Sequence, residues 1–186
     1  TIFIMTASFQ IAEEGFVHQF KMPSVPSPED LPTDIERMEK SLPRLTEEQR
    51  KTLCRERPIE LRRVEAIDFA NPKRKSPVQH IWLRSKERLG NQYSEHQGFL
   101  AYASDMGLLS TSSLPHGMSW LNGLQTASLD HSMWFHDSFR MDKWILAVIE
   151  SPTASNSRAF NRGLMFSAEG ALIASVSQEG LMRVRK

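Results

Sequence analysis

Asp105 is the first residue whose type and place suggest chemistry. It lies in Tyr102-Ala-Ser-Asp105-Met-Gly-Leu108, inside the most apolar helical stretch of the chain. A carboxylate withdrawn from water is costly unless it is hydrogen-bonded or paired. Burial also raises the proton affinity of a carboxylate toward the range where a general base works, so such a position is a functional candidate. The plain alternative is an aspartate near a helix end that bonds loop backbone.

Gln178 is the second candidate. In Leu172-Ile-Ala-Ser-Val-Ser-Gln178, strand alternation sets Leu172, Ala174, Val176 and Gln178 on one face. The amide is thus aimed at the apolar side, where it needs a partner. A core glutamine that satisfies backbone groups would look the same. Ser128 is the third. Alternation over 126–136 places Thr126, Ser128, Asp130 and Ser132 on one face and Ala127, Leu129, Met133 and Phe135 on the other. That polar face either lines a site or meets solvent.

Other reactive residue types carry weaker patterns. His131 and His136 are five apart in one strand-like run, so they point to opposite faces and cannot share an ion. A metal needs three or four converging ligands, and no such spacing occurs, so no metal or other cofactor is expected. Cys54 stands beside Arg55 and Arg57, an electropositive setting for a thiol, but a helix residue packed on the domain is the simpler reading. There is no G-x-S-x-G elbow and no phosphate-binding glycine pattern.

The elements that must position these groups follow from pattern. Thr1–Gln10 reads as a strand, rich in Ile, Phe and Thr. Pro23, Pro26, Pro28 and Pro32 exclude a regular helix or central strand there, which suggests a linker. Thr33-x-x-Glu36 and Thr46-x-x-Gln49 are capping-box patterns that open two short helices, with Pro43 between them. Strands are expected at 58–65 and 78–84, with a loop at 71–77 that holds Lys73, Arg74 and Lys75. A helix is expected over 94–109, apolar or small on most sides and therefore buried. A loop over 111–123 leads to strands at 124–136, 144–151, 157–167 and 172–184. One buried helix among antiparallel strands gives an α+β fold with the sheet wrapped around the helix.

Composition sets outer bounds. The net charge of +1 offers no basic field for nucleic acid, and the single cysteine excludes a disulfide framework. No stretch approaches the roughly 20 apolar residues that span a bilayer. The start has no basic signal-peptide region, and Arg183-Val-Arg-Lys186 lacks a Ser-Lys-Leu peroxisomal address. A cytoplasmic location is the expectation.

Tyr102-Ala-Ser-Asp105, Ala127-Ser-Leu-Asp-His-Ser-Met-Trp-Phe-His136 and Ala174-Ser-Val-Ser-Gln-Glu-Gly180 together resemble the acyl-CoA thioesterase II family. Arg57-Pro-Ile-Glu-Leu-Arg62 and Met5-Thr-Ala-Ser-Phe-Gln10 match its usual wording as well. The resemblance implies a hot-dog fold, in a family that places two such domains in one chain. It implies that residues 1–10 are the last strand of a first hot-dog domain, that 11–56 are a linker region with short helices, and that 57–186 are the second domain.

The resemblance further implies hydrolysis of acyl-CoA thioesters to fatty acid and CoA, with Asp105, Ser128 and Gln178 as the catalytic trio. Asp105 is the one member able to take a proton near neutral pH, so it would activate the water that Ser128 and Gln178 orient. Lys73, Arg74, Lys75 and Arg158 are candidates to meet the CoA phosphates. Acyl-CoA is the expected partner, with self-association or pairing with a first hot-dog domain. Two other readings stand beside it. One is a hot-dog hydratase or dehydratase using His131, which the alternation places on the face opposite Ser128. The other is a non-catalytic acyl-CoA-binding or assembly half.

Overall fold

The computed structural model describes residues 3–39 and 41–185. Two short helices come first, α1 (Asp34–Met38) and α2 (Glu47–Leu53). Each opens on the expected capping box. Thr33 accepts from the Glu36 amide while the Glu36 carboxylate receives the Thr33 amide, and Thr46 and Gln49 do the same. Cys54 is the C-cap of α2 and is exposed; the seven-residue helix leaves it no core to pack on, contrary to expectation.

Strands β1 (Ile59–Arg63) and β2 (Val78–Ser85) lead into helices α3 (Tyr93–Ser104) and α4 (Leu108–Ser113). Five strands follow: β3 (Leu124–Ser128), β4 (Ser132–Phe135), β5 (Ile145–Ser155), β6 (Arg158–Ser167) and β7 (Leu172–Val184). They form one antiparallel sheet in the order β1-β2-β5-β6-β7-β3, with β4 also paired to β7. No helix among the described residues is long and apolar enough to cross a membrane.

The sheet is two-sided because its central strands alternate between two apolar sets. Ile81, Leu83, Ile145, Ala147, Ile149, Met165 and Val176 face Leu100, Ala103 and Leu108 of the helices. On the other side Trp82, Trp144, Leu146 and Phe166 meet Met22, Val25 and Leu31. The proline-rich segment is therefore a strap across the outer face rather than a free linker. The Trp82 indole N–H donates to the Pro26 carbonyl at 3.0 Å, and that of Trp144 to Glu29 at 2.8 Å. Proline rigidity suits it to that task, since the strap loses little backbone freedom when it docks.

Two expectations need correction. The expected single helix over 94–109 is two, because the backbone turns at Gly107 with φ of 103°. Burial also divides unequally: α4 is buried, whereas α3 exposes Tyr93, Gly98, Ala101 and Tyr102. The expected strand 124–136 is interrupted between Ser128 and Ser132. Residues 3–27 form no helix or strand within this chain, and Phe3, Ile4, Met5 and Phe9 are exposed. A strand needs a neighbour to take its backbone bonds, and the sheet offers this segment none; Thr1 and Ile2 lie outside the described residues.

Candidate active site

Gln178 stands on β7 with its side chain buried on the concave, helix-facing side, as the alternation requires. Helix α4 comes unusually close to this strand. A Cβ on Gly180 would lie 2.4 Å from Leu109 Cδ1, so any larger residue there would have to displace the Leu109 side chain. The end of α3 is thereby held over Gln178.

Asp105 is the residue that results from the helix break. It is the C-cap of α3, and its side chain receives a hydrogen bond from Gln178 Nε2 at 2.7 Å. The expected burial of Asp105 is corrected: the residue is exposed, because the turn toward Gly107 carries it off the packed face of the helix. The resemblance implied that Asp105 and Gln178 share a site, and the two side chains are in contact.

Ser128 ends β3 opposite Gly180 in the antiparallel register. Gly180 and Gln178 are two apart on β7, so Ser128 shares the concave face with Gln178. The residue is exposed.

His131 joins this group, against expectation. Ser128 pairs Gly180 and Ser132 pairs Ser177, so four steps along β3–β4 stand against three along β7. The extra residue is a bulge, and it reverses the facing that strict alternation gave. Asp130 stabilises the bulge by accepting the Glu179 amide at 2.8 Å. His131 Nδ1 lies 3.3 Å from Gln178 Nε2, and its Nε2 lies 2.8 Å from Ser104 Oγ. His136, by contrast, bonds Ser175 and takes no part.

Asn161 was also missed. It is fully buried on β6, directly opposite Gln178, and neither of its amide atoms has a partner among the described residues. Gln178 Oε1 is buried and unpartnered too.

The expected phosphate-binding cations are exposed. Lys73, Arg74 and Lys75 are exposed on the 71–77 loop, and the Lys75 ammonium donates to the Ala66 carbonyl. Arg158 opens β6 and pairs with Glu179 at 3.3 Å.

The sequence profile of the acyl-CoA thioesterase family matches residues 50–181. The chain is 36% identical over 184 residues to acyl-CoA thioesterase 2 of Haemophilus influenzae, covering 98% of this chain and 64% of that protein. It is 38% identical over 194 residues to human acyl-coenzyme A thioesterase 8, covering 99% of this chain and 60% of that protein. The chain thus spans about three fifths of the curated relatives it matches. Among solved structures, acyl-CoA thioesterase II TesB2 from Mycobacterium marinum superposes with a TM-score of 0.71 at 34% identity, covering 95% of this chain and 61% of that one. A hot-dog-fold protein of unknown function from Alicyclobacillus acidocaldarius superposes at 0.64 with 14% identity, over 94% of this chain and 60% of that one, a likeness of fold alone. The fold is the expected α+β hot dog, a curled antiparallel sheet with helices packed in its concave face.

Proposed function

Because the chain belongs to the acyl-CoA thioesterase family, we propose that it supplies the water-activating groups for hydrolysis of acyl-CoA thioesters to fatty acid and CoA. The observation that carries this reading is the 2.7 Å bond from Gln178 to Asp105, which fixes a carboxylate at the mouth of an apolar concave face. A fixed carboxylate can take a proton from water as the water oxygen attacks the thioester carbonyl. The C–S bond then breaks, and the proton passes to the departing CoA sulfur. Ser128, on the same face, orients the water with its hydroxyl, and Gln178 holds Asp105 in place. Lys73, Arg74, Lys75 and Arg158 remain the cations proposed to meet the CoA phosphates.

We also propose that a second hot-dog surface closes this open site, from another copy of the chain or from a further domain. The exposure of Asp105 and Ser128 supports this, as does the unpaired apolar segment Phe3, Ile4, Met5 and Phe9. On this reading residues 1–10 pair with that other domain, 11–56 connect the two and strap the sheet, and 57–186 are the catalytic hot dog.

The hydratase reading gains nothing from the corrected place of His131. Its ring nitrogens lie against the Gln178 amide and the Ser104 hydroxyl, rather than against the carboxylate that an acid–base histidine of that kind would face.

Release of free thiol from a series of acyl-CoA esters tests the proposal. Wild type turns over, whereas Asp105→Asn retains its melting temperature and releases no thiol. Undiminished turnover by the variant removes Asp105 from its role.

A further inference from the structure

Hydrogen-bond direction can be followed through the residues behind Asp105. Ser104 Oγ lies 2.7 Å from the Ala101 carbonyl oxygen and 2.8 Å from His131 Nε2. A carbonyl can only accept, so the single hydroxyl hydrogen goes to Ala101. Ser104 must then accept from the ring, which places a hydrogen on His131 Nε2. A ring with its hydrogen on Nε2 alone presents a bare Nδ1, and Gln178 Nε2 lies 3.3 Å from it.

Gln178 Nε2 carries two hydrogens and has two acceptors, Asp105 Oδ1 at 2.7 Å and His131 Nδ1 at 3.3 Å. Reversing the amide would set its oxygen against a carboxylate oxygen and an imidazole lone pair together. Both contacts would be repulsive. The chain of donors therefore runs one way, from the Gln178 amide through His131 and Ser104 to the Ala101 carbonyl.

We infer that His131, as the neutral tautomer protonated on Nε2, is a positioning residue that fixes the Gln178 amide with its nitrogen toward Asp105. With Asp105 as the sole acceptor the amide would have one anchor and a soft terminal torsion. His131 adds the second anchor, and the bulge between Ser128 and Ser132 is the backbone device that delivers it. The ring is tied in turn to the last turn of α3 through Ser104, so one network joins helix, bulge and β7. Its catalytic consequence rests on the hydrolase reading above; its hydrogen-bond direction does not.

The experiment has two arms. Multiple-bond ¹⁵N–¹H spectra of histidine-labelled protein near neutral pH report the tautomer, with the His131 signal identified by its loss in His131→Asn. The Nε2–H form is expected, and the Nδ1–H form overturns the inference. Steady-state hydrolysis of an acyl-CoA is the second arm. His131→Leu removes the acceptor and is expected to lower kcat by about 10- to 100-fold with KM within about twofold. His131→Asn returns an acceptor near the Nδ1 position and is expected to recover a large part of that loss, whereas a merely structural role would leave the two variants alike. Wild-type kcat in His131→Leu, or equal defects in both variants, overturns the inference. Absence of thiol release by wild type with its second hot-dog surface in place defeats the hydrolase reading instead, and the tautomer spectrum still decides the direction of the chain.

Discussion

Gln178 and Asp105 are separated by 73 positions, yet the amide nitrogen of one lies 2.7 Å from the carboxylate of the other. The contact joins the end of α3 to the middle of β7. It depends on a donor at position 178. Gln178→Glu replaces that donor with an anion of nearly the same shape. A donor to a charged acceptor is worth about 1.5–3 kcal/mol, and its replacement by a like charge adds repulsion. We expect kcat to fall by about 100-fold or more. Folding then favours sharing a proton between the two carboxylates, which raises their joint proton affinity. Stability of the variant relative to wild type should therefore be better at acid pH and worsen as pH rises toward neutrality. Denaturant midpoints at both pH values check the sign.

The break between α3 and α4 makes Asp105 a cap rather than a mid-helix residue, and Gly107 makes the break. Its φ of 103° is strained for any residue with a Cβ, and such an atom would lie 2.4 Å from Ile81 Cδ1. Gly107→Ala should cost about 1–3 kcal/mol in urea unfolding. It should also lower kcat, because relief of the strain moves Asp105 relative to Gln178. Stability and kcat unchanged together would mean the turn does not set the site.

Much of this was legible in the sequence because it rests on local pattern. The two capping boxes are four-residue signals with their own hydrogen bonds, and they need no tertiary context. Gln178 was placed correctly because β7 runs without a bulge through 174–180. His131 was misplaced because one inserted residue inverts every later side chain, and a pattern of period two holds no record of the insertion. Asp105 was expected to be buried because the apolar stretch around it continues past Gly107. The chain divides that stretch between a half-exposed helix and a buried one. The strap over Trp82 and Trp144 was invisible for a different reason: its partners are 56 and 115 residues away, and proline-rich composition says nothing of what it covers.

A buried polar network ties the strap's helix to the helix break. Asp34 on α1 bonds Arg63 Nε at 3.0 Å, Arg63 Nη1 donates to Gln79 at 2.6 Å, and Gln79 donates to Thr111 at 2.8 Å. Arg63 is the central donor. Its removal leaves the amide oxygen of a fully buried Gln79 without a partner and Asp34 without its cation. We expect Arg63→Ala to cost about 3–5 kcal/mol, well beyond a surface ion pair. A loss under about 1 kcal/mol in urea unfolding would show that water replaces the guanidinium.

Asn161 offers the opposite sign. Its amide is fully buried with no partner among the described residues, and it faces Gln178 across the sheet. An unsatisfied buried polar group costs about 1–3 kcal/mol. Asn161→Leu, close in volume, should therefore raise the urea midpoint. A lower midpoint would show that the amide is paired in solution, and would make it a support for Gln178 rather than a burden.

Acid sensitivity should be set in part by Asp142. The Arg140 guanidinium donates to it twice, at 2.9 and 2.8 Å, and the Leu89 amide donates at 3.2 Å. These bonds, the Arg140 pair foremost, hold its carboxyl down to about 2 against an ordinary 3.8. A carboxylate with a lowered folded-state value stabilises the fold fully above its unfolded value and loses that contribution as pH falls through the folded one. The window thus runs from about pH 4 down to about pH 2. Asp142 and Arg140 together fasten the loop before β5 to the turn before α3, so loss of the pair frees the entry to the helix that carries Asp105. Asp142→Asn keeps the shape and removes the charge. It should be less stable than wild type at neutral pH, and its stability should change less across that acid window. Denaturant midpoints in a series from pH 7 to pH 3 read both effects, and parallel curves for the two proteins would assign the acid limb to other carboxylates.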